Sequence, residues 1–194
     1  MNGSRAIFER LGELYGYPGE GFEASCRAAL AASAAHPDRI TARLFAFVGD
    51  VAVLSSGDRE ELYTRTFDIN PRANLEVGWQ LFGESYDRGG LLVEMRGLLR
   101  EVGLAEGTEL PDHLISVLPL FARLDPARAE ALAVEKLGPA LQKMLLGFSE
   151  KDEPYRHLLT ATLEYLAFEV GGVEKFRSAS PAEQPAAAAA GFDC

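Results

Sequence analysis

The chain has 194 residues, 47% hydrophobic and 25% charged, with a formal charge of −10. That length suits one ordinary domain with its own core, and the excess of Asp and Glu argues against wrapping nucleic-acid phosphates, which takes clustered Lys and Arg. An acidic surface favours a basic partner and speeds its encounter, or serves solubility alone.

Apolar periodicity is helical almost throughout. Ile7, Leu11, Leu14 and Tyr15 predict a first helix, ended by Gly16-Tyr-Pro18. A second, Ala-rich helix is expected over 21–35, with Pro37 closing it. Ile40, Leu44, Phe47, Val48, Val51 and Leu54 form the apolar face of a third, ended by Ser55-Ser-Gly57. A short fourth spans 58–67, with Glu60 and Glu61 favourably placed in its first turn. A fifth spans 75–82, and a sixth 87–102, with Gly103 as its cap.

Pro111 sits where a helix start tolerates proline, so the next helix is expected to begin there and reach about Leu124, with Pro119 kinking it. Asp125-Pro126 opens another, running to about Phe148 and interrupted at Gly138-Pro139. The last runs from Pro154 to about Val170. β-branched alternation and Asn-Gly hairpins are missing, so no strand is expected. The prediction is an all-α, single-domain bundle of about eight to ten helices over residues 1–175, followed by an Ala/Pro-rich disordered tail over 176–194.

Cys26 falls at helical spacing between Phe22 and Leu30 and reads as a small core residue; Cys194 ends the tail. A disulfide or cysteine metal site has little support. Met1-Asn-Gly-Ser-Arg5 leads into an amphipathic pattern rather than an apolar leader, and no apolar run approaches a membrane span. A cytoplasmic protein is expected.

Signals for catalysis are weak. His36, His113 and His157 have no second His or Cys at ligand spacing, so no metal is expected. Gly89-Gly90 lacks the rest of a phosphate loop, and no serine sits in a nucleophile elbow. Asp112-His113 could be a tuned base, but neighbours at a helix start point apart. A capping role for Asp112, with His113 bonded to a nearby loop, is the stronger reading. The pairs Tyr63/Phe67 and Trp79/Phe82, with Tyr86 in the following loop, read first as core; the same residues, partly exposed, would line a peptide groove.

Three strings occur in an ordered series: Tyr63-Thr-Arg-Thr-Phe67-Asp68, Gly83-Glu84-Ser85-Tyr86-Asp87-Arg88-Gly89 and Leu110-Pro111-Asp112-His113-Leu114. Together they resemble the assembly chaperones of molybdenum-containing respiratory reductases, in the nitrate reductase (NarJ-type) branch of the TorD/DmsD group. The likeness covers about residues 62–168 and includes Arg72-Ala-Asn-Leu75 and Tyr155. Two departures stand out: Thr66 where the wider group has leucine, and Phe82 where the nitrate reductase branch commonly has histidine.

The resemblance implies a cytoplasmic chaperone, not an enzyme, with no cofactor of its own. It would bind the N-terminal segment, a twin-arginine signal or its remnant, of the catalytic subunit of a molybdenum-dependent oxidoreductase. It would hold that apoenzyme for cofactor insertion, as a monomer or a dimer. Tyr63, Phe67, Trp79 and Tyr86 would then line or support an apolar groove. Asp68 and Asp112 would offer carboxylates to a client Arg or Lys. His113 would orient the adjoining loop and make binding pH-sensitive, and Arg88 and Leu114 complete the expected peptide-binding set. The alternatives are a helical ligand- or nucleotide-binding protein and a permanent adaptor of a redox complex.

Overall fold

The structure, a computed structural model, describes residues 5–70, 73–148 and 154–176. The described chain is helical. In order it forms α1 (Ala6–Leu14), α2 (Phe22–Ser33), α3 (Asp38–Ala52), α4 (Ser56–Tyr63), α5 (Val77–Phe82), α6 (Tyr86–Glu101), α7 (Leu114–Arg123), α8 (Pro126–Leu132), α9 (Gly138–Leu146) and α10 (Pro154–Val170). The expected all-α class holds. Arg72, Cys194 and almost all of the expected tail lie outside the described residues.

Local chemistry explains several helix boundaries. Ser55 and Asp58 form a reciprocal capping box, the Asp58 N–H donating to Ser55 Oγ and the Ser55 N–H to Asp58 Oδ2. That cap starts α4 at Ser56, so Gly57 lies inside the helix rather than ending the one before. Asp125 accepts from the N–H groups of Ala127 and Arg128, with Pro126 at the first helical position of α8. Gly103 has φ +72° just past α6, a backbone conformation that favours glycine.

One expected start is corrected. Helix α7 begins at Leu114, not at Pro111. Residues 112–114 are instead tied to residues 75–77: Val77 N–H donates to the Asp112 carbonyl and Leu114 N–H to the Leu75 carbonyl. These bonds form one isolated antiparallel bridge between Glu76 and His113, where no pairing was expected. The cap is His113, whose Nδ1 accepts from the Ile115 N–H.

Two wide turns with i→i+5 bonding continue helices, at Thr64–Asp68 after α4 and at Ala133–Leu137 before α9. The second lies just before Gly138-Pro139, where the interruption was expected and where α9 instead begins. An α-helical Pro139 would press its ring on the carbonyl four residues back, and the wider turn relieves that clash. The first lies on a predicted site string.

Packing joins distant parts of the sequence. Helix α1 lies against α7 and α2, α10 against α3 and α9, and α5 against α6 and α9. The α1–α7 approach is close at Gly12, where an added Cβ would come 2.8 Å from Pro119 Cδ. Phe8 and Phe121 meet edge to face at 4.7 Å across the same junction. Tyr15 and Thr162 share a buried hydrogen bond of 2.7 Å between α1 and α10. Cys26 is a buried free thiol, as its spacing predicted, and burial pushes its pKa up to about 11.

Candidate functional site

The 75–77/112–114 bridge joins the third string to a segment that follows shortly after the first. Around that junction lies a groove of about 420 Å³ lined by Tyr17, Tyr63, Phe67, Asp68, Asn74, Leu75, Glu76, Glu109 and His113. Its floor is aromatic. Tyr63 stands edge to face with Tyr17 at 5.5 Å and with Phe67 at 5.2 Å, and Phe67 leans on Tyr155 at 4.7 Å. Tyr63 and Phe67 are only 8% and 5% exposed, so they support the groove from below. Tyr17, 57% exposed, forms its wall.

Charge in the groove has one sign. Asp68, Glu76 and Glu109 supply carboxylates, and no Lys or Arg is among the lining residues. The field is felt by the phenol of Tyr63: burial first, then Asp68 and Glu109, push its pKa well above the ordinary value. The Tyr17 phenol is raised as well, by desolvation and by its hydrogen bond to Glu60. Glu76 is partly neutralised by Arg88, whose Nη2 lies 2.5 Å from its Oε2, yet burial still raises its pKa.

Asp112 does not line this groove. It is fully buried, and its Oδ2 accepts the Gly78 N–H at 2.9 Å, capping the first turn of α5. The expectation that Asp112 presents a carboxylate to a client is therefore corrected: it caps a neighbouring helix and holds the groove's rim together. Gly78 is required there, because an added Cβ would lie 2.7 Å from that same oxygen. Leu114 is likewise corrected, from the binding set to the core, with no exposed surface.

His113 lines the groove, but with a changed role. Burial lowers its pKa to about 4, and its Nδ1 is occupied as an acceptor for the α7 cap. The imidazole is thus neutral near pH 7 and adds no positive charge beside the carboxylates. His113 stands in the groove wall as an uncharged group at that pH.

The second string builds an adjoining surface. Glu84, Ser85, Tyr86, Arg88, Gly89, Leu92 and Leu110 line a shallow depression of about 550 Å³. Tyr86 begins α6 rather than lying in the loop before it, and it is 101% exposed. Trp79 lies behind this surface, with the Arg88 guanidinium 5.4 Å from its ring centre. Arg88 therefore sits on the boundary between depression and groove. The structure brings Tyr63, Phe67, Asp68 and His113 together, and places Trp79, Tyr86 and Arg88 beside them.

Tyr17, Glu76 and Glu109 were not anticipated from the sequence. Glu109 immediately precedes Leu110-Pro111-Asp112-His113-Leu114, a position that could have drawn notice. Tyr17 lies in a turn motif, Gly16-Tyr-Pro18, that points to chain reversal rather than recognition. Among the described residues no group of His, Cys, Asp and Glu is arranged to hold a metal ion. No described helix is long and apolar enough to cross a membrane.

No family model matches the chain. It is 27% identical over 137 residues to the nitrate reductase molybdenum cofactor assembly chaperone NarJ of Escherichia coli (strain K12), a match covering 70% of this chain and 58% of that protein. The same figures hold for NarJ of Escherichia coli O157:H7. The matched segment thus spans less than two thirds of the length of these curated relatives. The likeness first seen in three short strings extends over most of the chain: this protein is similar to NarJ-type nitrate reductase assembly chaperones.

Proposed function

We propose that this protein is a molybdenum-cofactor assembly chaperone for nitrate reductase or a related oxidoreductase, and that it binds the N-terminal segment of the catalytic subunit in the acidic groove. The observation that carries this reading is the pairing of an aromatic floor, Tyr63 and Phe67, with the carboxylates of Asp68, Glu76 and Glu109 in one concavity. The similarity to NarJ supplies the client class.

An arginine-bearing segment suits that concavity. Its guanidinium would find planar acceptors in the carboxylates, each charge-assisted bond contributing about 1.5–3 kcal/mol. An adjacent apolar side chain of the segment would cover the aromatic floor, contributing about as much again by burial. Ordering a mobile peptide costs about 2–5 kcal/mol, and rigid-body freedom is lost as well. The result is moderate affinity, which suits a chaperone that must hold an unfinished enzyme and then release it.

The protein needs no reacting group for this task. His113 uses Nδ1 structurally and Asp112 is buried as a cap, so the two polar residues of the third string shape the groove rather than transfer protons. The bridge between residues 75–77 and 112–114 brings Glu76 beside the segment that carries Glu109, and both line the groove. Isothermal titration with a peptide carrying two adjacent arginines tests this directly. Saturable one-to-one binding that weakens with added salt is expected. No binding at any ionic strength would overturn the reading.

A further inference from the structure

Arg88 has more roles than one ion pair explains. Its Nη2 lies 2.5 Å from Glu76 Oε2, on the rim of the acidic groove. Its guanidinium also lies 5.4 Å from the centre of the Trp79 ring, and its Nε is 4.0 Å from Asp112 Oδ2. That Nε is buried without a hydrogen-bond partner, as is Asp112 Oδ1. The side chain is mostly covered, yet it lines the neighbouring depression together with Glu84, Tyr86 and Leu110.

The geometry is that of an internal occupant. A guanidinium of the chain itself already fills one of the groove's carboxylates, in the chemistry proposed for a client arginine. We infer that Arg88 competes with the client's arginine for Glu76, and that binding displaces it from Glu76 towards the depression. This inference rests on the proposed peptide-binding reading and adds a specificity-determining residue to it.

The physical reasoning is an exchange. One guanidinium replaces another on Glu76, so the Coulomb energies nearly cancel and little is gained from that carboxylate. The displaced Arg88 has a second carboxylate, Glu84, on the wall of the depression it already lines. A segment that offers only a basic residue therefore gains little at Glu76. A segment that also fills the aromatic floor gains enough to complete the exchange. Discrimination between a genuine client and any basic peptide follows from that difference.

The test uses the full chain and the same diarginine peptide. Arg88→Met keeps an apolar stem and removes the competitor; it is expected to bind the peptide about tenfold more tightly, with a steeper salt dependence. The double variant Arg88→Met with Glu76→Gln, in which no carboxylate is freed for the client, is expected to lose the gain of Arg88→Met. A second readout needs no variant. Trp79 is the only tryptophan in the chain, so its indole N–H gives one nuclear magnetic resonance cross-peak, which should shift as the peptide draws Arg88 off the ring.

If the unmodified protein binds but Arg88→Met binds no tighter and the Trp79 signal stays fixed at saturation, Arg88 is not a competitor, and the groove reading stands. If neither the unmodified protein nor Arg88→Met binds, the groove reading fails and this inference with it. Should Arg88→Met not fold, the Trp79 signal decides alone: a shift at saturation supports displacement, and a fixed signal overturns it.

Discussion

Acid should weaken this fold through one histidine. In the folded chain the His113 imidazole resists protonation down to about pH 4, against an ordinary value of 6.5. An unfolded chain takes up that proton below about pH 6.5 while the folded chain refuses it. Stability contributed by neutral His113 is therefore complete above 6.5 and declines as pH falls toward 4. Below 4 both states are protonated and the loss is finished.

Each tenfold change in proton affinity is about 1.4 kcal/mol, so the whole loss is about 3 kcal/mol, of which about 2 kcal/mol has gone by pH 5. Protonation also removes the Nδ1 acceptor from the Ile115 N–H and uncaps α7. The comparison protein is His113→Asn, which keeps a capping acceptor and cannot titrate. Urea unfolding followed by circular dichroism at pH 7.5, 6 and 5 gives the stability of both. Carboxylates titrate in part of this window, but they are common to both proteins and cancel in the difference. The unmodified protein should lose about 2 kcal/mol more than His113→Asn between pH 7.5 and 5. Parallel pH dependences would refute the assignment of a buried neutral imidazole.

Other perturbations have equally definite outcomes. Asp112→Ala strands the buried Gly78 N–H and should cost about 1–3 kcal/mol in urea unfolding, whereas Asp112→Asn keeps an acceptor and should cost less; equal effects would remove the cap from the account. Gly12→Ala drives a methyl against Pro119 and should destabilise by about 1–3 kcal/mol, with a lower thermal midpoint. Asp68→Asn with Glu109→Gln should weaken diarginine-peptide binding at least about tenfold at low salt and flatten its salt dependence, with no change in thermal midpoint beyond about 2 °C. Unchanged affinity would take both carboxylates out of recognition.

Much of the fold was readable because its helices carry long apolar faces bounded by strong punctuation. Pro154 and Val170 bound α10 as expected, since Leu158, Leu159, Leu163 and Leu166 keep one face apolar between Pro154 and Gly171. The start of α7 was not readable. Proline at 111 fits a first helical turn, but the backbone there is taken by bonds to residues about thirty-five positions earlier, which no local rule anticipates.

The wide turn at Thr64–Asp68 left a trace only in hindsight. Thr66 replaces a leucine of the resembling group, and its hydroxyl donates to the Leu62 carbonyl at 2.7 Å, occupying an acceptor that a regular helix gives to a backbone N–H. The site divided along similar lines. Tyr63, Phe67, Asp68 and His113 could be named because they lie in recognisable strings, while Glu76 and Tyr17 reach the groove only through the fold. Asp112 was legible in part: the capping role read from its place in the string holds, but on α5 rather than on the helix that follows it, and the carboxylate the resemblance would offer to a client is the one the fold buries.

The most direct measurement is co-purification of the tagged full chain with the catalytic subunit of nitrate reductase from the cell that makes both, with molybdenum determined in the isolated complex. A chaperone of the kind proposed will be found on a catalytic subunit lacking molybdenum, and Asp68→Asn with Glu109→Gln will abolish that complex. Recovery of the chain on the molybdenum-loaded enzyme, or a complex indifferent to the groove substitutions, would contradict the proposal.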